Sequence, residues 1–224
     1  MGGIKSGVAG CVLILPATFI TFILAILALA NPALITAAPP WYSITLIVGR
    51  ILLVIGVWLV AGGTRALGRY YKNTLSTATG IVGLVAAIIG IIGAILGLVG
   101  TSLVMAGLRI VALLDAAAII NIIAFIMIGV FLLLLGVAFI ILRDKIGQSG
   151  LSLGTGIMSI IAGAMTCSII LSFIGIAVLI PTAICAAYLF LKAKGIPEAE
   201  VREVKKLVVR PAKAIAKKRI SPRR

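Results

Sequence analysis

The sequence predicts an all-α fold: a polytopic transmembrane helical bundle of six spans, arranged as three hairpins, with a basic amphipathic tail at the C-terminus. Three observations lead there. Of the 224 residues 62% are hydrophobic and only 11% charged, whereas a soluble domain carries about a quarter charged residues. Six apolar runs reach the roughly 20 residues that a helix rising about 1.5 Å per residue needs to cross the hydrocarbon core. Lys and Arg gather between alternate runs, as they do on one side of a membrane. Composition this apolar excludes a soluble globular domain and a disordered chain.

The first span covers residues 8–30. Two short signals precede or end it: Met1-Gly2-Gly3-Ile4-Lys5-Ser6 fits a myristoylation pattern, and Ala28-Leu29-Ala30 resembles a signal-peptidase site. The apolar run is longer than the roughly 7–15 residues of a signal peptide core, so it reads as a membrane helix. Further spans follow at 44–63, 78–99 and 116–142. The stretch 151–191 is about twice the length of one span and divides near Ser172-Phe173-Ile174-Gly175, into 151–171 and 174–191. Residues 1–191 thus form the membrane domain and 192–224 the tail. With six spans, Arg65, Arg69 and Lys72, then Arg143 and Lys145, then the tail all fall on the side of Lys5. The positive-inside rule makes that side cytoplasmic, with both termini there and the chain in the cell membrane.

An internal repeat runs through the body. Ile55-Gly56-Val57-Trp58 parallels Ile128-Gly129-Val130-Phe131, and the same offset aligns Gly63 with Gly136 and Lys72 with Lys145. Two-span units copied in one orientation make a parallel repeat.

Lipid tails are as apolar as leucine, so helices associate through close contact between small residues. Span three carries Gly83, Ala87, Gly90, Ala94, Gly97 and Thr101 at helical spacing, with Gly93 beside them. Span five carries Ser152, Thr155, Ser159, Gly163 and Thr166. These two stripes are expected to meet each other or a neighbouring protomer, with packing inside one chain preferred over a dedicated oligomer face.

Little in the sequence supports catalysis. There is no His, and the carboxylates number five: Asp115, Asp144, Glu198, Glu200 and Glu203. No imidazole base, paired intramembrane acid or metal-ligand cluster follows, so no catalytic residue, metal or cofactor is expected. Cys11, Cys167 and Cys185 lie in apolar runs and read as small buried hydrophobes. Arg50 is the exception, a cation about six residues into span two. Its expected partner is Asp115 at the start of span four, with Asn121 adding a hydrogen bond. A snorkelling or packing arginine is preferred there over an ion path.

After Leu191 come twelve Lys/Arg and three Glu, a net charge of +9. Pro197 opens an amphipathic helix with glutamates early and Lys205, Lys206 and Arg210 late; Lys213, Lys217, Lys218 and Arg219 follow Pro211. Such a segment beside a bilayer binds anionic headgroups. Nucleic acid is a weaker expectation, because no aromatic residue is present to stack bases.

Leu67-Gly68-Arg69-Tyr70-Tyr71-Lys72-Asn73 and Thr79-Gly80-Ile81-Val82-Gly83 resemble a region of multi-spanning archaeal membrane proteins of a domain-of-unknown-function family. The second turn, Leu142-Arg143-Asp144-Lys145, lacks the tyrosine pair. The resemblance implies repeated hairpins with basic turns and brings no activity with it. Scarce Gln and Asn fit a thermophilic origin. The leading expectation is a non-enzymatic structural protein, a scaffold or accessory subunit with membrane-protein partners or a second copy of itself. An archaeal virus membrane protein whose tail faces the genome is one alternative; a small-solute or ion permease is another.

Overall fold

A computed structural model of the chain describes residues 2–31, 39–106, 111–168 and 174–193. The tail cations Lys205, Lys206, Arg210, Lys213, Lys217, Lys218 and Arg219 lie outside the described residues, as does Arg109. Six helices follow in order: α1 (Gly2–Ala30), α2 (Pro40–Tyr70), α3 (Thr74–Met105), α4 (Val111–Ile146), α5 (Ser149–Cys167) and α6 (Ile174–Ala193). Each is long and apolar enough to cross a membrane, and among the described residues there are no strands. This is a multi-pass membrane protein.

All the helices but α5 outrun the apolar runs that predict them. α4 has 36 residues, about 54 Å at helical rise, against 19 residues and about 28 Å for α5. α5 ends at Cys167, four residues before its expected boundary, where Ser168 turns extended (φ −86°, ψ 114°).

Consecutive helices from α1 to α5 pack side by side. They run antiparallel: Gly10 meets the backbone at Gly56 while Gly3, earlier in α1, meets Ala66, later in α2. The tip between α2 and α3 is a Schellman turn. Asn73 N–H donates to the Gly68 carbonyl (2.7 Å), Lys72 N–H donates to Arg69, and Lys72 takes φ 51°. Glycine is the usual residue at that left-handed position. Asn73 then caps α3 by accepting from Ser76 N–H at 2.9 Å. Gly147, at φ 73°, turns the chain from α4 into α5. Lys145 Nζ donates to the Tyr71 carbonyl (3.2 Å), so the two turns sit together at one end of the bundle. We call this the basic end.

The core is built where α1, α2, α4 and α6 converge. Phe131, Phe139 and Phe190 are fully buried, and the rings of Phe139 and Phe190 meet edge-on at 5.9 Å. Isoleucines and other large hydrophobic residues face outward along every helix, among them Phe19, Ile51, Ile88, Ile119, Ile157 and Ile184. Large apolar side chains on the outside are the distribution expected when the solvent is lipid.

The glycines of the sequence repeat do not repeat their contacts. Gly56 and Gly63 of α2 press on α1, at Gly10 and Gly7. Their counterparts Gly129 and Gly136 of α4 press on α5, at Gly163 and Gly156. One pair faces the preceding helix and the other the following one. The small-residue stripes of α3 and α5 likewise do not meet: Gly83 contacts Phe131 of α4 and Ala61 of α2, whereas α5 lays its stripe on α4.

Candidate functional site

Among the described residues, the end of the bundle away from the basic turns, beyond the last turn of α5, is not filled. A cleft of about 490 Å³ lies there, between the upper parts of α2, α3 and α4 and the tip where α5 ends and α6 begins. Its volume falls in the range of small-molecule sites, roughly 300–1,000 Å³. The walls are mostly apolar, with Phe125, Ile122 and Ile126 on α4 and Ile176 on α6; four polar side chains enter: Arg50, Thr101, Asn121 and Thr166.

Arg50 comes from α2, ten residues after Pro40, or about 15 Å along the helix. It lies further along its helix than the apolar run suggests, because α2 begins before that run. Its neighbours Gly49 and Leu53 are buried, and the side chain itself is half-buried. Asn121 comes from α4, and its Nδ2 donates to the Ala117 carbonyl one turn back (2.7 Å). Arg50 and Asn121 also share a second hollow, with Gly90, Val54 and Ala124. Arg50 and Asn121 thus line the same cleft, but the hydrogen bond expected between them is not formed.

The expected ion pair is not formed either. Arg50 and Asp115 form no salt bridge; among the described residues the one ion pair is Arg143 Nε with Asp144 Oδ1 at 3.5 Å. Asp115 stands exposed on α4, while Ala117, Ala118 and Asn121 turn toward the cleft. Asp115 precedes Asn121 by six residues, about 9 Å along α4 at helical rise, and does not line the cleft.

The packing residues divide. Gly83, Ala87, Gly90 and Gly163 are buried. A Cβ on Gly90 would stand 2.7 Å from Val54 Cγ2, and one on Gly163 would stand 2.7 Å from the Gly129 carbonyl oxygen. Gly97 differs from expectation: it lines the cleft, and a Cβ there would meet nothing within 4 Å. The stripe leaves its neighbours where the cleft opens.

Thr166, Phe125, Ile126 and Ile176 were not among the residues singled out from sequence for this region. A signal was present: the apolar run of span four is longer than that of span five, which leaves part of α4 without a neighbour. At the core, by contrast, the void between α1, α2, α4 and α6 measures only about 30 Å³ and is bounded by residues such as Leu53, Val57, Phe131 and Leu179. That is about the share of one water molecule, with apolar walls. Among the described residues no three His, Cys, Asp or Glu side chains come together.

The fold and this cleft define a six-helix integral membrane protein with a single arginine set into an apolar recess. Compared with protein-family models, curated proteins and solved structures, the chain matches none.

Proposed function

We propose that this protein is a non-enzymatic structural subunit, a scaffold or accessory component of a membrane assembly, with an archaeal source in keeping with the resemblance of its first basic turn. The observation that carries the reading is the way the helices are joined. Backbone meets backbone at Gly10–Gly56, Gly129–Gly163 and Gly136–Gly156, and the central void is too small and apolar to conduct a solute. Such contacts favour a stiff body over one that rocks between access states. The absence of His from the sequence and its few carboxylates support a role without catalysis.

In this reading the basic end, with Arg69, Lys72, Arg143 and Lys145, faces the cytoplasm and anionic headgroups, joined by the tail. Single cysteines at Lys72 and Lys145 should label only from the cytoplasmic side, and one at Asp115 only from outside. The test of function is the mass of the detergent-purified particle. A fixed stoichiometric partner or a defined homo-oligomer supports the accessory role, whereas a lone monomer with a measurable solute flux replaces it with the permease reading. The virion alternative rests on the tail; preference of a tail peptide for duplex DNA over anionic vesicles at one salt concentration would move it to first place.

A further inference from the structure

We infer that the cleft around Arg50 is a binding site for an anionic phospholipid, with the phosphate at Arg50 and an acyl or isoprenoid chain along α4. The argument begins with charge. Arg50 presents five N–H donors and no acceptor, and among the described residues it has neither a hydrogen bond nor an ion pair. Of the two carboxylates described, Asp144 is with Arg143 at the other end, and Asp115 is exposed on α4, does not line the cleft and forms no ion pair. A cation held half-buried between apolar helices is costly without a counter-ion, and among the described residues none is paired with it. A phosphate offers the planar fork of arginine a bidentate acceptor.

The other polar groups refine the head. Thr101 Oγ1 donates to the Gly97 carbonyl (2.8 Å) and Thr166 Oγ1 to the Ala162 carbonyl (2.7 Å). Each hydroxyl proton is committed to its own helix, so each oxygen presents acceptor lone pairs to the cleft. A head that satisfies both Arg50 and these oxygens carries a phosphate next to hydroxyl donors, as a glycerol phosphate does.

The walls identify the rest of the ligand. Beside the cleft, the face of α4 continues outward through Ile119, Ile122 and Ile126, which are 58%, 43% and 39% exposed. The apolar wall thus passes without interruption onto the side of the bundle that contacts lipid. A free phosphate or sugar phosphate would leave that wall uncovered, whereas a chain leaving the cleft sideways covers it. The inference stands apart from the accessory-subunit reading, since particle mass tests one and cleft occupancy the other.

The experiment uses the full-length chain, delipidated in neutral detergent, with thermal stability and native mass spectrometry as readouts. The probes are dioleoyl phosphatidylglycerol, dioleoyl phosphatidylcholine and water-soluble glycerol 3-phosphate. Phosphatidylglycerol should raise the melting temperature and remain bound, at one per chain beyond any population removed by salt. The Arg50→Met variant should weaken that salt-resistant binding about tenfold or more, the ratio expected for losing a hydrogen bond to a charged group. Gly97→Phe, which enters the open side of the cleft and keeps the arginine, should weaken it similarly while melting close to wild type without lipid. It serves as the independent check should Arg50→Met fold poorly. Unchanged salt-resistant binding in Gly97→Phe overturns the site. Equal stabilisation by phosphatidylcholine overturns the charge argument, and equal stabilisation by glycerol 3-phosphate overturns the amphiphile.

Discussion

A Cβ built on Gly156, in the half of the bundle near the basic turns, would stand 2.6 Å from Ile140 Cγ1 and 2.8 Å from the Gly136 carbonyl oxygen; one built on Gly97, in the other half, would meet nothing within 4 Å. Hydroxyl bonds that stay within one helix occur in both halves, as at Thr64, Thr79 and Thr155 near the basic turns, but the serine bonds that cross between helices gather in one. Toward the basic end serines bridge between helices: Ser152 Oγ donates to Phe139 (2.6 Å), Ser159 Oγ to Leu132 (2.8 Å) and Ser76 Oγ to Thr64 (3.1 Å). Toward the far end Thr45, Thr101, Ser102 and Thr166 donate to carbonyls four residues back on their own helices. Threonine, β-branched and stiff at χ1, takes that local bond readily. One half is therefore fastened across helices and the other leaves its helices separate enough to hold a cleft. The shortness of α5 and α6 places the boundary between them.

Substitutions along the two halves should separate accordingly. The largest effect is expected at the α4–α5 seam: Gly156→Leu drives a side chain into the Gly136 backbone, which has no flexible end to move aside. It should cost about 3 kcal/mol or prevent folding, read as a collapse of the melting transition in detergent. Next, Gly90→Leu should cost about 2 kcal/mol against Val54, while Gly97→Leu, two turns along the same helix, should stay within about 0.5 kcal/mol of wild type. Equal losses at 90 and 97 would show that the cleft closes in the membrane and that the contrast between halves is false. Ser159→Ala should lose about 0.6 kcal/mol, and at most about 1.7, the scale of interhelical hydrogen bonds in lipid. Thr101→Ala should be smaller still, because its bond stays within α3. A double mutant of Arg50→Ala and Asp115→Ala should show additive effects, since the two groups do not touch; a coupling energy above about 0.5 kcal/mol would restore the pair.

Much of this was legible before any coordinates. The number of spans followed from runs of about 20 apolar residues, and the grouping of basic turns from the placement of Arg65 to Lys72 and of Arg143 with Lys145. Gly83, Ala87 and Gly90 stood out because small residues at helical spacing have one main use between membrane helices. Helix ends were harder. Pro40 to Ser43 and Thr101 to Met105 extend the helices through residues that hydropathy alone assigns to connections, because backbone hydrogen bonds continue past the apolar run.

The sequence by itself determined that this chain is a multi-pass membrane protein with six runs long enough to cross a bilayer, and that its cations lie mostly in the tail and near the helix ends, since bilayer thickness and the cost of buried charge act on composition directly. Only the tertiary structure decided what each small residue touches. Gly56 and Gly129 read alike in sequence yet press on opposite chain neighbours, and Gly97 continues a packing stripe into open space. Helical spacing states which residues share a face; which helix, if any, lies against that face depends on the lengths and ends of all six. Arg50 and Asp115, matched by charge in the sequence, likewise do not meet, and the arginine lines a cleft that the carboxylate does not.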